Sequence, residues 1–273
     1  MKEAVLRGDY SRAGPDYAVE QDWAAYTGAE HALYRRLYAR QSALVPRYAC
    51  PEFEHALAGL DAGQAIPDFS AVSRRLRPVT GWEIVPVPGL IPDEAFFTHL
   101  AARRFPVTVW LRTQAEFDYI VEPDVFHDFF GHVPLLFDPA YAEHLCEYGK
   151  GGLKALRLGA LPMLARLYWY TIEFGLVRTE RGLRAYGAGL LSSGGELAHA
   201  IDGPAPRRFA FDLERMMRTG YAIDRYQDAY FVIEGFAHLL RDTAPDFAPL
   251  YARLRQLPVL AADVPLPGDH IVG

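Results

Sequence analysis

The sequence predicts a mainly α-helical fold with a few short β-strands beside a cleft. Apolar residues recur at spacings of three and four over long segments, which is typical of helices packed on a core, whereas only short runs have the composition of strands. No proline- or glycine-rich linker divides the 273 residues. We therefore expect a single domain over 15–258, with a mobile N-terminal tail over 1–14 and a Pro-rich C-terminal tail over 259–273.

Helices dominate the first hundred residues. The first predicted helix spans 18–44, where Trp23, Leu33 and Leu37 fall on one face. Further helices are predicted over 52–60, 69–76 and 94–103. Two short strands are predicted over 82–87 and 107–111. Pro86 makes the first of these strands an edge strand or marks its end, because proline cannot donate to a neighbouring strand.

Helices also dominate the second half of the chain. They are predicted over 139–148, 162–175, 211–219, 230–240 and 247–257. The segment Lys150–Gly152 is typical of a turn after the first of these helices. Short strands are predicted over 184–187 and 221–223.

Charge and composition exclude several classes of protein. The formal net charge is -6 and the pI is near 5.8, so we expect no nucleic acid partner. No apolar run reaches the roughly 18 residues that a membrane helix needs. The N-terminus lacks the apolar region of a secretory signal. Two distant cysteines, Cys50 and Cys146, are typical of reduced thiols, so the expected compartment is cytoplasmic.

The stretch 121–137, VEPDVFHDFFGHVPLLF, predicts a metal site. Its two histidines, His127 and His132, lie five residues apart among aromatic residues, where an unpaired imidazole is costly. On a regular helix they would point about 140° apart. We therefore expect the helix to end between them, near Gly131, so that both imidazoles reach one ion.

Glu173 is the best candidate for a third ligand. It is the only acid between Leu161 and Val177, and a carboxylate in so apolar a helix needs a cation. Two histidines and one carboxylate hold Fe(II) in oxygenases, and the same set can hold zinc for hydrolysis. The structural alternative is that both histidines are hydrogen-bonded core residues and that Glu173 pairs with Arg166 or Arg178. Spacing alone does not choose among these.

Three motifs carry a family resemblance: EPDVFHDFFGHVPLLF, ARLYWYTIEFGL and AYGAGLLSSGGEL. In this order and at these distances they resemble the catalytic domain of the pterin-dependent aromatic amino acid hydroxylases, most closely the short bacterial members that act on phenylalanine. The resemblance extends over residues 23–257. It implies the single catalytic domain of that family, with an iron site in a cleft. The implied reaction is hydroxylation of L-phenylalanine to L-tyrosine with Fe(II), a tetrahydropterin cosubstrate and O2.

The resemblance also assigns roles around the metal. It implies that one Fe(II) is held by three residues: His127, His132 and Glu173. Tyr168 matches a tyrosine near the iron and joins the catalytic set. Ser192 and Glu196 match residues that orient the first histidine, beside the place where the substrate binds; such partners fix the orientation of a metal-binding imidazole.

Substrate and pterin residues are assigned in the same way. Arg112 matches the arginine that pairs with the amino acid carboxylate, and Asp124 would hold Arg112 in place. Pro123 and Trp169 match the walls around the substrate ring. The positions that contact the pterin are matched by four residues: Gly89, Leu90, Phe96 and Asp128.

Alternatives remain open at this point. The chain could be a tryptophan or tyrosine hydroxylase of the same family, although the apolar Phe211, near a position where the tyrosine enzymes carry an acid, favours phenylalanine. From another class, a zinc hydrolase could use the same three ligands, with Asp128 or Glu122 as general base. The expected partners are small molecules, with no membrane. Because no long heptad helix follows the domain, we expect a monomer.

Overall fold

The computed structural model of the chain describes residues 6–272. Helices predominate, and six short strands accompany them within this range, which confirms the predicted fold class. One continuous cluster of buried apolar side chains forms the core of the described residues. No helix among them combines the length and the apolar character that crossing a membrane requires. Cys50 and Cys146 are both buried and free.

The two predicted tails stay predictions, because residues 1–5 and residue 273 lie outside the described part of the chain. The described portion of the N-terminal segment does contact the domain. The hydroxyl of Tyr10 donates a hydrogen bond to the carbonyl oxygen of Leu90, 2.8 Å away.

Four helices form the N-terminal part: α1 (Gly28–Ser42), α2 (Val45–Tyr48), α3 (Pro51–Leu60) and α4 (Phe69–Thr80). The first begins well after residue 18, where the apolar pattern placed its start. The reason is a capping box, in which the side chain of Thr27 accepts from the Glu30 amide and the Glu30 carboxylate accepts from the Thr27 amide. Local capping thus overrides the longer apolar pattern.

A small parallel sheet follows, formed by β1 (Glu83–Val87) and β2 (Arg104–Thr108) with helix α5 (Asp93–Ala101) between them. Among the residues that the structure describes, the strand β1 pairs with β2 alone, so Pro86 does lie on an edge strand. The strand β2 ends earlier than predicted, and Arg112 therefore lies in the loop beyond it.

Helix α6 (Pro139–Arg157) runs straight through the segment where a turn was predicted, so that prediction was wrong. One of the two glycines there, Gly152, serves close packing. A β-carbon at Gly152 would meet the ring of Phe97 on α5, whereas one at Gly151 would meet nothing within 4 Å. Glycine at position 152 lets the two helices approach, and it does not interrupt the helix.

The second half is organised on a four-stranded sheet with the order β4-β3-β6-β5. Its strands are β3 (Leu176–Thr179), β4 (Gly182–Ala185), β5 (Arg207–Ala210) and β6 (Ala229–Ile233). The strand β3 is antiparallel to β4 and parallel to β6, and β5 is parallel to β6. Around it lie α7 (Leu161–Tyr168), α8 (Ala188–Leu191), α9 (Glu196–Asp202), α10 (Leu213–Arg218), α11 (Phe236–Thr243) and α12 (Ala248–Leu254).

Two further predictions in this half were wrong. The predicted helix over 230–240 is the strand β6 followed, after a break, by α11. All five residues of β6 are buried, so the run has no alternation, and periodicity cannot separate such a strand from a buried helix. The predicted strand over 221–223 is an irregular segment.

Candidate active site

Two π-helical turns carry the predicted metal ligands. The first spans His127–His132 and the second spans Trp169–Glu173. Hydrogen bonds in a π-helix join residues five apart, and such turns are frequent at functional sites. Side chains five residues apart therefore lie one above the other. The expectation that the helix would end near Gly131 was wrong. The helix continues through Gly131 as a π-helical turn, which is wound more widely than an α-helix, and this brings both imidazoles to one face.

Three ligand atoms converge at these turns. One atom each from His127, His132 and Glu173 lies within 4.8 Å of the others. Nε2 of His127 is 3.6 Å and Nε2 of His132 is 3.3 Å from the carboxylate oxygens of Glu173. Arg166 donates to a backbone carbonyl and Arg178 pairs with another acid. The alternative in which Glu173 pairs with an arginine is therefore wrong.

Ser192 fixes the orientation of His127. Nδ1 of His127 lies 2.8 Å from the Ser192 hydroxyl, which donates its own hydrogen to the carbonyl of Ala188 at 2.8 Å. A hydroxyl has one hydrogen to donate, so Nδ1 of His127 carries the proton. The lone pair of Nε2 then faces Glu173, and this is the tautomer that a metal-binding imidazole needs.

Burial and neighbouring groups set the protonation states. Burial lowers the pKa of His127, which keeps its imidazole neutral at pH 7. Burial alone would raise the pKa of Glu173, but His132, His127 and the hydroxyl of Tyr168 outweigh it and hold that pKa at about 2. The site therefore presents a neutral nitrogen donor from His127 and an ionised carboxylate donor from Glu173. That donor set fits Fe(II) with positions left open.

A cavity of about 910 Å³ opens beside these ligands. It is lined by every residue predicted for the site except Asp124, namely Gly89, Leu90, Phe96, Arg112, Pro123, His127, Asp128, His132, Tyr168, Trp169, Glu173, Ser192 and Glu196. The fold thus brings together side chains from the loop after β1, from α5, and from both π-helical turns. Asp124 is fully buried behind Arg112.

Arg112 is held in one orientation by Asp124. Its Nε and Nη2 atoms each donate to a different carboxylate oxygen at 2.8 Å, and its backbone N–H donates at 2.9 Å. Asp124 also accepts from the backbone N–H of His127 at 3.0 Å, which ties the pair to the metal turn. No hydrogen bond joins Nη1 of Arg112 to another described residue, so this nitrogen is available to a ligand carboxylate.

Three of the residues predicted for the pterin, Gly89, Leu90 and Phe96, lie on the loop after β1 and on α5, whereas Asp128 lies on the first π-helical turn. The ring of Phe96 packs edge-on against Tyr168, with centroids 5.9 Å apart and planes at 80°. Gly89 has a φ of 154°, and a β-carbon there would lie 2.8 Å from a carboxylate oxygen of Glu122. Only glycine suits this position, where the backbone itself borders the cavity.

Asp128 lies between the two histidines and the small sheet. One of its carboxylate oxygens accepts a hydrogen bond from the backbone N–H of Thr108 at 2.8 Å. Burial raises the pKa of Asp128, while His127, Thr108 and His132 oppose that rise. Thr108 was not predicted from the sequence, because a backbone donor leaves no mark in a motif.

Glu196 does not reach His127, contrary to the role expected for it. Its carboxylate accepts instead from the backbone N–H of Gln227 at 2.8 Å and from the hydroxyl of Tyr230 at 2.9 Å. Burial raises the pKa of Glu196 to about 7, although both of these hydrogen bonds act to lower it. Among the predicted residues, Ser192 alone makes the contact that orients the imidazole.

The sequence missed one wall of the cavity, which is formed by residues 221–227. Tyr221 stacks on Trp169 with centroids 4.3 Å apart and planes at 14°. Phe211, in contrast, packs against His238 and does not line the cavity, so the preference inferred from it has no structural basis. An irregular segment carries neither periodicity nor motif, and nothing in the sequence marked it.

Comparison with known proteins agrees with this fold and site. The family model for the biopterin-dependent aromatic amino acid hydroxylases matches residues 16–253. The chain belongs to this family.

Several relatives of the chain within this family are named phenylalanine-4-hydroxylase. The phenylalanine-4-hydroxylase of Ralstonia nicotianae is 52% identical over 274 residues, which cover 100% of this chain and 88% of the relative. That of Chromobacterium violaceum is 52% identical over 258 residues, which cover 94% of this chain and 87% of the relative. The crystal structure of C. violaceum phenylalanine hydroxylase with iron and phenylalanine bound matches with a TM-score of 0.91 and 50% identity, over 96% of each chain.

Proposed function

We propose that the chain is an Fe(II)- and tetrahydropterin-dependent monooxygenase that hydroxylates L-phenylalanine to L-tyrosine with O2. The observation that carries this proposal is the convergence of His127, His132 and Glu173 beside a cavity into which Arg112 faces. Similarity to enzymes named phenylalanine-4-hydroxylase, and to one structure with iron and phenylalanine bound, supports the substrate and the metal.

His127, His132 and Glu173 would hold the iron. Two neutral imidazoles and one carboxylate leave open positions on such an ion, as oxygen chemistry requires. Bound there, Fe(II) together with the tetrahydropterin supplies the activation of O2. The hydrogen bond from Nδ1–H of His127 to Ser192 keeps the Nε2 lone pair directed at the metal site.

Arg112 would bind the substrate carboxylate through its free Nη1 atom. Asp124 holds the guanidinium still, so little conformational freedom is lost when the substrate binds. Pro123 and Trp169 form apolar walls that exclude water from the aromatic ring. These residues orient the amino acid; they exchange no proton with it.

Phe96, Gly89, Leu90 and Asp128 would form the pterin side of the cavity. The ring of Phe96 offers a flat face for stacking. The backbone at Gly89 and Leu90 borders the cavity on this side, where the carbonyl of Leu90 already accepts a hydrogen bond from Tyr10. Asp128 presents a carboxyl group near the two histidine ligands, with one oxygen already held by a backbone N–H.

Turnover of the purified protein tests the proposal. With Fe(II), phenylalanine, a tetrahydropterin and O2, we expect tyrosine to form in step with pterin oxidation. Glu173→Ala should lose iron and tyrosine formation together, whereas Glu180→Ala on the surface should retain both. Iron-loaded protein that makes no tyrosine would contradict the proposal. Competition among phenylalanine, tryptophan and tyrosine in one vessel distinguishes the three activities of the family.

Two finer expectations also belong to the proposal: that the chain acts as a monomer, and that it works in the cytoplasm. Light scattering after size-exclusion chromatography tests the first, since a monomer has a mass of 30.6 kDa. A measured mass of twice that value or more would contradict it.

A further inference from the structure

The segment 221–226 forms a wall of the cavity without the support of a helix or strand. It links α10 to β6, and much of it faces solvent: Ile223 is 69% exposed and Tyr226 is 47% exposed. Such segments are held only weakly by burial. Yet Tyr221 stacks on Trp169 within the cavity lining, so the position of this segment affects the shape of the pocket.

Gln227 is the side chain that joins this segment to Trp169. It is 3% exposed. Its Oε1 accepts from the indole Nε1–H of Trp169 at 3.0 Å. Its Nε2 donates to the carbonyl of Ala222 at 2.8 Å and to that of Arg225 at 3.3 Å. One amide group therefore links the pocket tryptophan with two carbonyls of the irregular segment.

The backbone of Gln227 extends the same network. Its N–H donates to Glu196 at 2.8 Å, and its carbonyl lies 3.1 Å from Nε2 of His199. Trp169 is also the first residue of the π-helical turn that ends at Glu173. Gln227 thus contacts Trp169 and Glu196, and all three residues line the cavity.

The chemistry of these contacts requires an amide. The indole N–H is only a donor, and the two carbonyls are only acceptors. A glutamine satisfies both kinds with one planar group. A carboxylate could accept from Trp169 but would repel the carbonyl oxygens, and a methionine of similar size would leave the partly buried indole N–H without this acceptor.

We propose that Gln227 is a positioning residue for the amino acid pocket, which sets the Trp169 ring and the segment 221–226 relative to each other. It acts on the substrate through Trp169. The expected change in KM rests on the proposed function, in which Trp169 forms a wall around the aromatic ring of the amino acid substrate. The geometry of the network is independent of that assumption.

Kinetics of Gln227→Met provides the first test. We expect KM for phenylalanine to rise about tenfold, because Trp169 and the segment 221–226 lose their shared anchor and must be ordered when the substrate binds. The values of kcat and of KM for the tetrahydropterin should stay within about twofold. Gln256→Met, at an exposed glutamine, should change none of these. An equal rise of both KM values, or a fall in kcat alone, would overturn the proposal.

Gln227→Glu provides a second test that does not depend on truncation. A protonated carboxyl group has one acceptor and one donor, so it can accept from Trp169 and donate to Ala222 as the amide does. We expect the rise in KM for phenylalanine to shrink as pH falls and to return as pH increases. A ratio of variant to wild-type KM that is constant with pH would overturn the proposal.

Amide hydrogen exchange provides a readout apart from activity. In Gln227→Met the backbone amides of 221–226 should exchange faster than in wild type, while those of Gln256→Met should match wild type. Unchanged exchange in Gln227→Met would overturn the inference even if the wild-type enzyme is active. Wild-type protein that makes no tyrosine would contradict only the proposed function, and the exchange experiment would still decide the role of Gln227.

Discussion

Replacing Glu196 by glutamine should stabilise the protein, and the gain should increase with pH. The carboxyl group of Glu196 is buried, which raises its pKa from 4.5 to about 7. The folded protein therefore binds this proton more tightly than the unfolded chain. The stability that the protonated group contributes is present below pH 4.5 and is lost as pH rises through 7. Glutamine stays neutral, and its carbonyl can still accept from Gln227 and Tyr230.

The magnitude follows from the two pKa values. At 1.36 kcal/mol for each pKa unit, the ionised group lowers the free energy of unfolding by about 1 kcal/mol at pH 5 and by about 3 kcal/mol at pH 8. Glu196→Gln should gain those amounts over wild type. Urea unfolding at pH 5, 6, 7 and 8 measures the difference. Glu180→Gln, at an exposed acid, is the control and should show no such trend.

A gain that is the same at every pH would refute this reasoning. It would mean that Glu196 ionises equally easily in the folded and unfolded states, so that burial does not govern its protonation. A loss of stability at pH 8 would refute it more strongly, because the charged form would then be the one that the fold favours.

Three further predictions concern packing, acid stability and substrate binding. Gly152→Ala should lose about 1–3 kcal/mol of unfolding free energy by overpacking against Phe97, whereas Gly151→Ala in the same helix should gain about 0.5–1 kcal/mol; equal urea midpoints would contradict this. Burial lowers the pKa of His144 to about 4, so the free energy of unfolding falls as pH drops from 6.5 towards 4. In His144→Gln the free energy of unfolding should fall less over this pH range than in wild type. Parallel acid-unfolding curves would contradict this. Arg112→Lys should raise KM for phenylalanine at least about tenfold, because lysine lacks the bidentate contact with Asp124; an unchanged KM in steady-state assays would contradict this.

The metal ligands could be found from the sequence, but their geometry could not. Burial arguments identified Glu173, since an acid in an apolar helix needs a partner, and the structure supplies His127 and His132 as neighbours. The winding of the helix was misjudged because the rules for apolar patterns assume a regular α-helix. A π-helical turn leaves no trace in composition, and only the tertiary contacts around it decide where it forms.

The errors in the fold have a similar origin. Periodicity locates elements that are buried on one face, and it located α3 and the first half of α6. It failed for β6, which is buried on both faces, and for Gly152, whose role depends on how closely Phe97 approaches. Periodicity could not identify Gln227. Its side chain bonds to Trp169, which is distant in sequence, and to two carbonyls of the irregular segment 221–226.

The π-helical turn at His127–His132 has a consequence for how metal sites are recognised in sequences. Searches for helical metal ligands favour pairs four residues apart, since these share a face of an α-helix, and they reject pairs five apart. A π-helical turn is equivalent to an α-helical turn with one residue inserted. A single insertion between two ligands four apart can therefore leave both on one face. The two spacings are one mutational step from each other, and a motif search that permits one should permit the other.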